Sequence, residues 1–227
     1  MIKKTALTTL FFFLFSVSAA HAAAFKTAGF SFNKDVKPLN VVKKNHVVSQ
    51  SLDFSCGAAG LSTLLTFHLN DNVPEEEIIS SLLEIVPLEK VKARQGFSLL
   101  DLKRFAEAKG YKVTGYKMDI NFLSELDKPV LVPIKYKNYR HFVIVKDIVA
   151  NRVFIADPAA GNMTMKVDKF QKMWPNGIGL VIEHPEERAQ DYALKVENDD
   201  LSIMNYTSLQ GLVARNAFRT QIFANEF

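Results

Sequence analysis

The chain has 227 residues, of which 48% are apolar and 23% are charged, so a globular protein with a substantial core is expected. Its 10 glycines and 8 prolines are too few for a collagen-like or low-complexity chain. The formal net charge is only +4, and the basic residues are scattered along the sequence. These features argue against a nucleic-acid-binding protein, which would carry a dense basic patch.

The N-terminus has the three parts of a secretory signal peptide. Lys3 and Lys4 provide a charged start, an apolar run covers residues 7–17, and Ala20-His21-Ala22 forms an A-x-A cleavage site. The apolar run is shorter than the roughly 20 residues that span a bilayer, which disfavours an uncleaved anchor. We therefore predict that residues 1–22 are a signal peptide, that the protein is exported to the periplasm or beyond, and that it meets the membrane only through this peptide.

The first half of the remaining chain is predicted to be helical. Residues 23–44 form an irregular lead-in, with short strands expected at Val41–Val42 and just beyond it at Val47–Val48. Small and then apolar residues from Cys56 to Phe67 predict a buried helix, and Pro74 followed by three glutamates predicts the start of a second. A capping box at Ser98–Asp101 opens a third helix, which ends at Gly110.

The second half is rich in β-branched and aromatic residues. Strands are predicted at residues 111–118, 130–135, 141–149, 153–156 and 180–182. Helices first and antiparallel strands second indicate an α+β fold. Residues 185–227 form a C-terminal extension of unknown role, and both docking on the domain and binding a partner or a membrane surface stay open for it.

Cys56 is the only cysteine in a chain that is predicted to leave the cytoplasm. An unpaired thiol is usually avoided in an oxidising compartment unless it has a function. Because Cys56 lies at the start of a predicted helix, free backbone N–H groups and the helix dipole favour its thiolate. The amide of Gln50, six residues upstream, and the Cys56 N–H are candidate oxyanion donors. The alternative is a small buried hydrophobic residue.

Among the five histidines, His141 is the best candidate for the base, because it starts a strand whose hairpin partner ends at Asp157. A three-residue loop would place these side chains on the same face of the sheet, whereas a two-residue turn at Ala150–Asn151 would separate them. A triad is therefore expected to need the three-residue loop. The alternative is a half-buried strand histidine and an aspartate that only starts a turn. The other histidines are less suitable by position: His21, His46, His68 and His184.

The segments from Gln50 to Ala59, His141 to Val145 and Ala156 to Pro158, together with Gly96-Phe-Ser-Leu, resemble the C39 peptidase family over roughly residues 45–183. This family comprises papain-like cysteine proteases best known as the leader-cleaving domains of bacteriocin exporters. The resemblance implies a papain-like α+β fold with N-terminal helices packed on an antiparallel sheet. It also implies cleavage after a Gly-Gly leader, with roles for four residues: Cys56 as nucleophile, His141 as base, Asp157 as orienting acid and Gln50 as oxyanion donor.

We therefore expect residues 45–184 to form an exported cysteine endopeptidase that cleaves a secreted peptide or protein. Similar free-standing members accompany systems that export functional amyloid, so a component of such a secretion system is an expected substrate or partner. No cofactor is expected, and a single cysteine without a close histidine pair gives no tetrahedral zinc set. The alternatives are a non-catalytic binding module or adaptor of the same fold, and a cell-wall amidase.

Overall fold

The fold is described from a computed structural model, which defines residues 39–136, 139–186 and 193–196. Helices predominate before the first strand, and strands predominate after it. The helices are α1 (Leu39–Lys44), α2 (Cys56–Phe67), α3 (Glu75–Ile85), α4 (Leu88–Arg94), α5 (Leu99–Ala108), α6 (Ile120–Glu125) and α7 (Val167–Met173). The strands are β1 (Lys112–Lys117), β2 (Val130–Tyr136), β3 (Tyr139–Val149), β4 (Arg152–Asp157), β5 (Gly161–Lys166) and β6 (Ile178–Glu183).

The six strands form one antiparallel sheet in the order β1-β6-β2-β3-β4-β5. Alternate residues of the central strands point to opposite faces, so each face carries its own buried cluster. One face packs residues such as Leu131 and Ile144 with the apolar side chains of α2, α3 and α5. The opposite face packs Val132 and Val143 with Phe170 of α7. This arrangement confirms the predicted α+β class, with N-terminal helices on an antiparallel sheet.

The three predicted helices and five predicted strands are present, with ends that differ by a few residues. The predicted strand at Val41–Val42 is wrong, because these residues lie in α1. Lys43 and Lys44 in the last turn of α1 stabilise this helix by their interaction with the negative end of the helix dipole. Val47–Val48 is not a strand either. The helices α4, α6 and α7 and the strand β5 have only six or seven residues each, too few for a clear periodic pattern.

Part of the C-terminal extension packs on the domain. Leu194 is fully buried in the cluster that contains α2, and its N–H donates to the carbonyl of Phe67 at 3.1 Å. Val196 packs against Val149 and Phe154. The predicted signal peptide lies outside the described residues, and the domain limits at 45 and 184 stay a prediction. No helix of the described segments is long and apolar enough to cross a membrane.

Candidate active site

Cys56 is the first residue of α2 and is 2% exposed. The preceding turn is held by Ser55, whose hydroxyl accepts the N–H of Leu52 at 3.0 Å and donates to the Leu52 carbonyl at 2.9 Å. Ser55 therefore stabilises the turn and does not cap the helix with its side chain. As a result, the N–H groups of the first helical turn stay without a side-chain acceptor from the N-cap, next to the thiol.

The start of α2 packs unusually close to the sheet and to α5. A Cβ at Gly57 would lie 2.9 Å from Cδ1 of Leu102 and 3.1 Å from Cδ2 of Phe142. Since Phe142 follows His141 in β3, this contact brings the helix start next to the strand that carries the imidazole. The small residue after Cys56 is thus what allows the thiol and the ring to approach.

His141 and Asp157 form a buried pair. Nε2 of His141 lies 2.7 Å from Oδ1 of Asp157, and each residue is 8% exposed. The same carboxylate oxygen accepts the N–H groups of Ala159 at 2.7 Å and Ala160 at 3.2 Å. These backbone donors fix the carboxylate in the turn after β4, so it can orient the imidazole ring.

The pair forms although the β3–β4 hairpin has the two-residue turn that was expected to separate it. Ala150 and Asn151 both have positive φ, and Val149 pairs with Arg152. The register then shifts by one residue between Val145 and Asp147, so that Ile144 pairs with Ala156. The expectation that a triad needs a three-residue loop is therefore wrong. A β-bulge at Lys146 supplies the extra residue and returns the two side chains to one face.

The surroundings of His141 favour its protonated form. Burial opposes protonation, but the hydrogen bond to Asp157, the adjacent Cys56 thiol and the charges of both groups raise the pKa of His141 from 6.5 to about 9. Burial also opposes ionisation of Asp157, and here the His141 bond and the two backbone N–H donors lower the pKa of the carboxyl. The arrangement is thus suited to hold an imidazolium against a carboxylate at neutral pH.

Nδ1 of His141 is the ring nitrogen left for the thiol. It is buried and has no aligned hydrogen bond among the described residues. Cys56 is nevertheless close enough to raise the pKa of the ring. Contact without good alignment is common in catalytic pairs before the substrate binds. The structure thus brings Cys56, His141 and Asp157 into one cluster.

Gln50 lies beside this cluster. Its backbone N–H donates to the carbonyl of Pro158, the residue after Asp157, at 3.0 Å. Its side-chain Nε2 donates to the carbonyl of Leu52 at 2.9 Å, within its own loop, and its Oε1 is buried without a partner among the residues the structure defines. The amide is therefore near the site but is turned toward the loop that precedes Cys56.

Tyr139 is a further residue of the site, and it was not identified from the sequence. Its hydroxyl donates to the carbonyl of Asp53 at 2.7 Å, and its ring centroid lies 6.0 Å from that of His141. Burial and the nearby Cys56, Asp53 and Asp157 raise the pKa of the phenol. Tyr139 thus joins β3 to the loop before α2. Its position two residues before His141, on the same face of the strand, was the available signal.

Comparison with known proteins places the chain in a protein family. Residues 44–187 match the sequence profile of the Peptidase C39 family. Among the similar proteins are two described as "Probable functional amyloid protease FapD", from Pseudomonas fluorescens at 37% identity and from Pseudomonas aeruginosa at 34% identity. Each match covers 66% of this chain and 65% of the relative, which is just under two thirds of the relatives' length.

A solved structure supports the fold. The peptidase domain of Streptococcus ComA, described as a bi-functional ABC transporter involved in a quorum-sensing pathway, matches with a TM-score of 0.52 and 22% sequence identity. The match covers 61% of this chain and 97% of that domain. The papain-like fold of C39 peptidase domains is therefore confirmed for this chain.

Proposed function

We propose that this chain, which belongs to the Peptidase C39 family, is a cysteine endopeptidase with Cys56, His141 and Asp157 as its catalytic residues. The observation that carries the proposal is the buried His141–Asp157 pair, with a 2.7 Å contact, next to a thiol at the first position of a helix. A nucleophile, a base and an acid that orients the base are the three parts that thiol catalysis requires. Residues in three different elements converge to supply them.

The reaction begins when His141 takes the proton of the Cys56 thiol and becomes an imidazolium. The sulfur attacks the scissile carbonyl, a C–S bond forms, and the carbonyl oxygen becomes an oxyanion. His141 then donates its Nδ1 proton to the leaving amine as the C–N bond breaks. In the second half, His141 takes a proton from water, whose oxygen attacks the thioester and releases Cys56. Asp157 holds the ring orientation throughout.

Gln50 is the proposed side-chain donor to the oxyanion, with the Cys56 N–H as a second donor. The present bond from Gln50 Nε2 goes to the Leu52 carbonyl, which also accepts from the N–H of Ser55 at 3.1 Å and from its hydroxyl at 2.9 Å. Since Ser55 already donates two hydrogen bonds to that carbonyl, Gln50 can leave it without making the acceptor unpaired. The side chain is then available to turn toward the substrate.

We further propose that the substrate is an exported peptide or protein with small residues beside the scissile bond. Cys56 is 2% exposed, and the Tyr139 ring stands next to His141, so that bulky neighbours of the scissile carbonyl would clash. Glycine residues satisfy this restriction, which supports cleavage after a Gly-Gly leader. The names of the Pseudomonas relatives support a functional-amyloid component as substrate. Export to the periplasm or beyond belongs to the same proposal and rests on the predicted signal peptide.

The test is the pH dependence of Cys56 alkylation by iodoacetamide. The protein without residues 1–22 is compared with its His141→Ala variant, and Cys56→Ala serves as the blank. An activated pair predicts that the protein reacts at pH 6 on the order of tenfold faster than its His141→Ala variant, because the variant lacks the base that takes the thiol proton. Equal rates in the two proteins, or no reaction, would overturn the proposal and favour the non-catalytic binding module.

A further inference from the structure

Glu75 is a buried carboxylate outside the cluster described above. It is the first residue of α3 and is 3% exposed. Both of its oxygens accept the backbone N–H of Ser51, at 3.2 Å for Oε1 and 3.1 Å for Oε2. Burying an ionised group is costly unless it is well satisfied, and its apolar neighbours in α3, Ile78 and Leu82, would suit a hydrophobic residue at this position. Core packing alone thus gives no reason for a carboxylate here.

The N–H that Glu75 binds is the middle one of three consecutive anchored groups. The N–H of Gln50 donates to the Pro158 carbonyl at 3.0 Å, and the N–H of Leu52 donates to the Ser55 hydroxyl at 3.0 Å. Each group is therefore held from a different part of the fold: the turn after β4, the start of α3 and the turn before α2. Together these bonds fix the backbone on which the Gln50 side chain is mounted.

We propose that Glu75 is a positioning residue, which holds the Gln50 backbone so that the side-chain amide can reach the oxyanion. This inference rests on the proposed function and adds to it a contribution from α3. The carboxylate is suited to the task, because a charged acceptor binds an N–H more strongly than a neutral one and because the N-terminus of α3 stabilises its charge. A displacement of about 1 Å in a catalytic donor is enough to lower a rate on the order of 100-fold.

The experiment measures how well the site stabilises a tetrahedral oxygen, without requiring the natural substrate. N-acetylglycylglycinal forms a hemithioacetal with an active-site thiol, and its inhibition constant is obtained from the protection of Cys56 against iodoacetamide. The variants are Glu75→Ala, Glu75→Gln and Gln50→Ala. Glu76→Ala is the matched control, since Glu76 lies in the same helical turn and is exposed.

We expect Glu75→Ala to raise the inhibition constant about tenfold and Gln50→Ala to raise it on the order of 100-fold, because both weaken the oxyanion donor. Glu75→Gln keeps one acceptor oxygen and the shape of the side chain, so its increase should be smaller. It also keeps the test valid if Glu75→Ala does not fold. The alkylation rate without the aldehyde should stay within about twofold of wild type in the Glu75 variants, since thiol activation depends on His141.

A double-mutant cycle separates positioning from a merely structural role. If Glu75 acts through Gln50, adding Glu75→Gln to Gln50→Ala causes no further increase of the inhibition constant. This inference alone would be overturned if Glu75→Gln raised the inhibition constant by the same factor with and without Gln50→Ala. It would also be overturned if the Glu75 variants had the inhibition constant of a wild type that binds the aldehyde. A wild type that is neither alkylated rapidly nor protected by the aldehyde would overturn the proposed function, and the inference with it.

Discussion

Nε2 of His141 lies 2.7 Å from Oδ1 of Asp157 across two neighbouring strands, in a position where both side chains are almost completely buried. The carboxylate is itself held by the N–H groups of Ala159 and Ala160. The ring therefore has a fixed partner on one side and the Cys56 thiol on the other. The ionisation of the site is set by this pair, and its consequences can be measured.

The Asp157→Asn substitution tests how far the carboxylate determines the charge of the ring. The amide keeps the shape of the side chain but removes the negative charge, so the pKa of His141 should fall from about 9 toward 6.5. The loss of activity at high pH should then occur at a lower pH than in the wild type, because the imidazolium loses its proton at a lower pH. NMR titration of the His141 ring gives the shift directly. Asp168→Asn, an exposed position in α7, is the control, and an unchanged His141 titration in Asp157→Asn would contradict the prediction.

The same pair makes the free energy of unfolding depend on pH. Since the pKa of His141 is raised from 6.5 to about 9, its contribution is complete below pH 6.5 and is lost as the pH rises through 9. The pKa of Asp157 is lowered, so its contribution is present above its ordinary value of 3.8 and is lost as the pH falls through the folded value. The free energies of unfolding of wild type and Asp157→Asn, measured with urea, should differ most between pH 4 and 6.5, and less near pH 9. A stability difference between the two proteins that grows toward pH 9 would contradict the prediction.

Local sequence signals identified the elements of the site but not their register. The start of α2 at Cys56 was predicted from small residues, and the start of α5 after Ser98 was predicted from a capping box. Both signals lie within a few residues of the chain. The bulge at Lys146 has a weaker signal, because the charged pair Lys146-Asp147 interrupts the apolar run of β3 but does not by itself specify a shift of register. The turn at Ala150–Asn151 was one of the two loops considered, and it requires a positive φ at Ala150 that is unfavourable for alanine.

Long-range contacts account for the residues that were missed. Glu75 meets Ser51 24 residues away, and Tyr139 meets Asp53 86 residues away, so no local pattern connects them. A glutamate in the first turn of a helix is also expected on the surface for its effect on the helix dipole, which gave no reason to suspect burial. Cys56 was singled out as the one cysteine of the sequence, and His141 and Asp157 were selected by their positions in one hairpin.

Substituting Gly57 tests whether the close approach of α2 to the sheet is necessary. An alanine Cβ would meet Cδ1 of Leu102 at 2.9 Å and Cδ2 of Phe142 at 3.1 Å, so the helix start must shift. We expect Gly57→Ala to lower the free energy of unfolding by about 1–3 kcal/mol and to slow alkylation of Cys56. Gly115→Ala is the control, because its Cβ would lie 3.7 Å from Cδ2 of Leu180, an ordinary contact. Equal stabilities for the two variants by urea unfolding would contradict the prediction.

The Tyr139 hydroxyl is expected to restrict access to the thiol. Tyr139→Phe keeps the ring beside His141 but removes the bond to the Asp53 carbonyl, which joins the strand to the loop before α2. Cys56 is 2% exposed, so opening of this connection should increase its alkylation rate a fewfold at constant pH. Tyr136→Phe is the control, as Tyr136 lies opposite Tyr139 in the β2–β3 pairing and is 54% exposed. A rate that falls, or that changes equally in both variants, would show that the hydroxyl does not limit access.

Leu194 provides a test of whether the C-terminal extension belongs to the folded domain. Its side chain is fully buried in the cluster that contains α2, although it lies beyond residue 184, where the sequence placed the end of the domain. Leu194→Ala should lower the free energy of unfolding by about 2–5 kcal/mol, the usual effect of removing a buried leucine side chain. Leu100→Ala, at a position that is 51% exposed, should change it by less than about 1 kcal/mol. If urea unfolding shows the same small effect for both, the extension does not stabilise the domain.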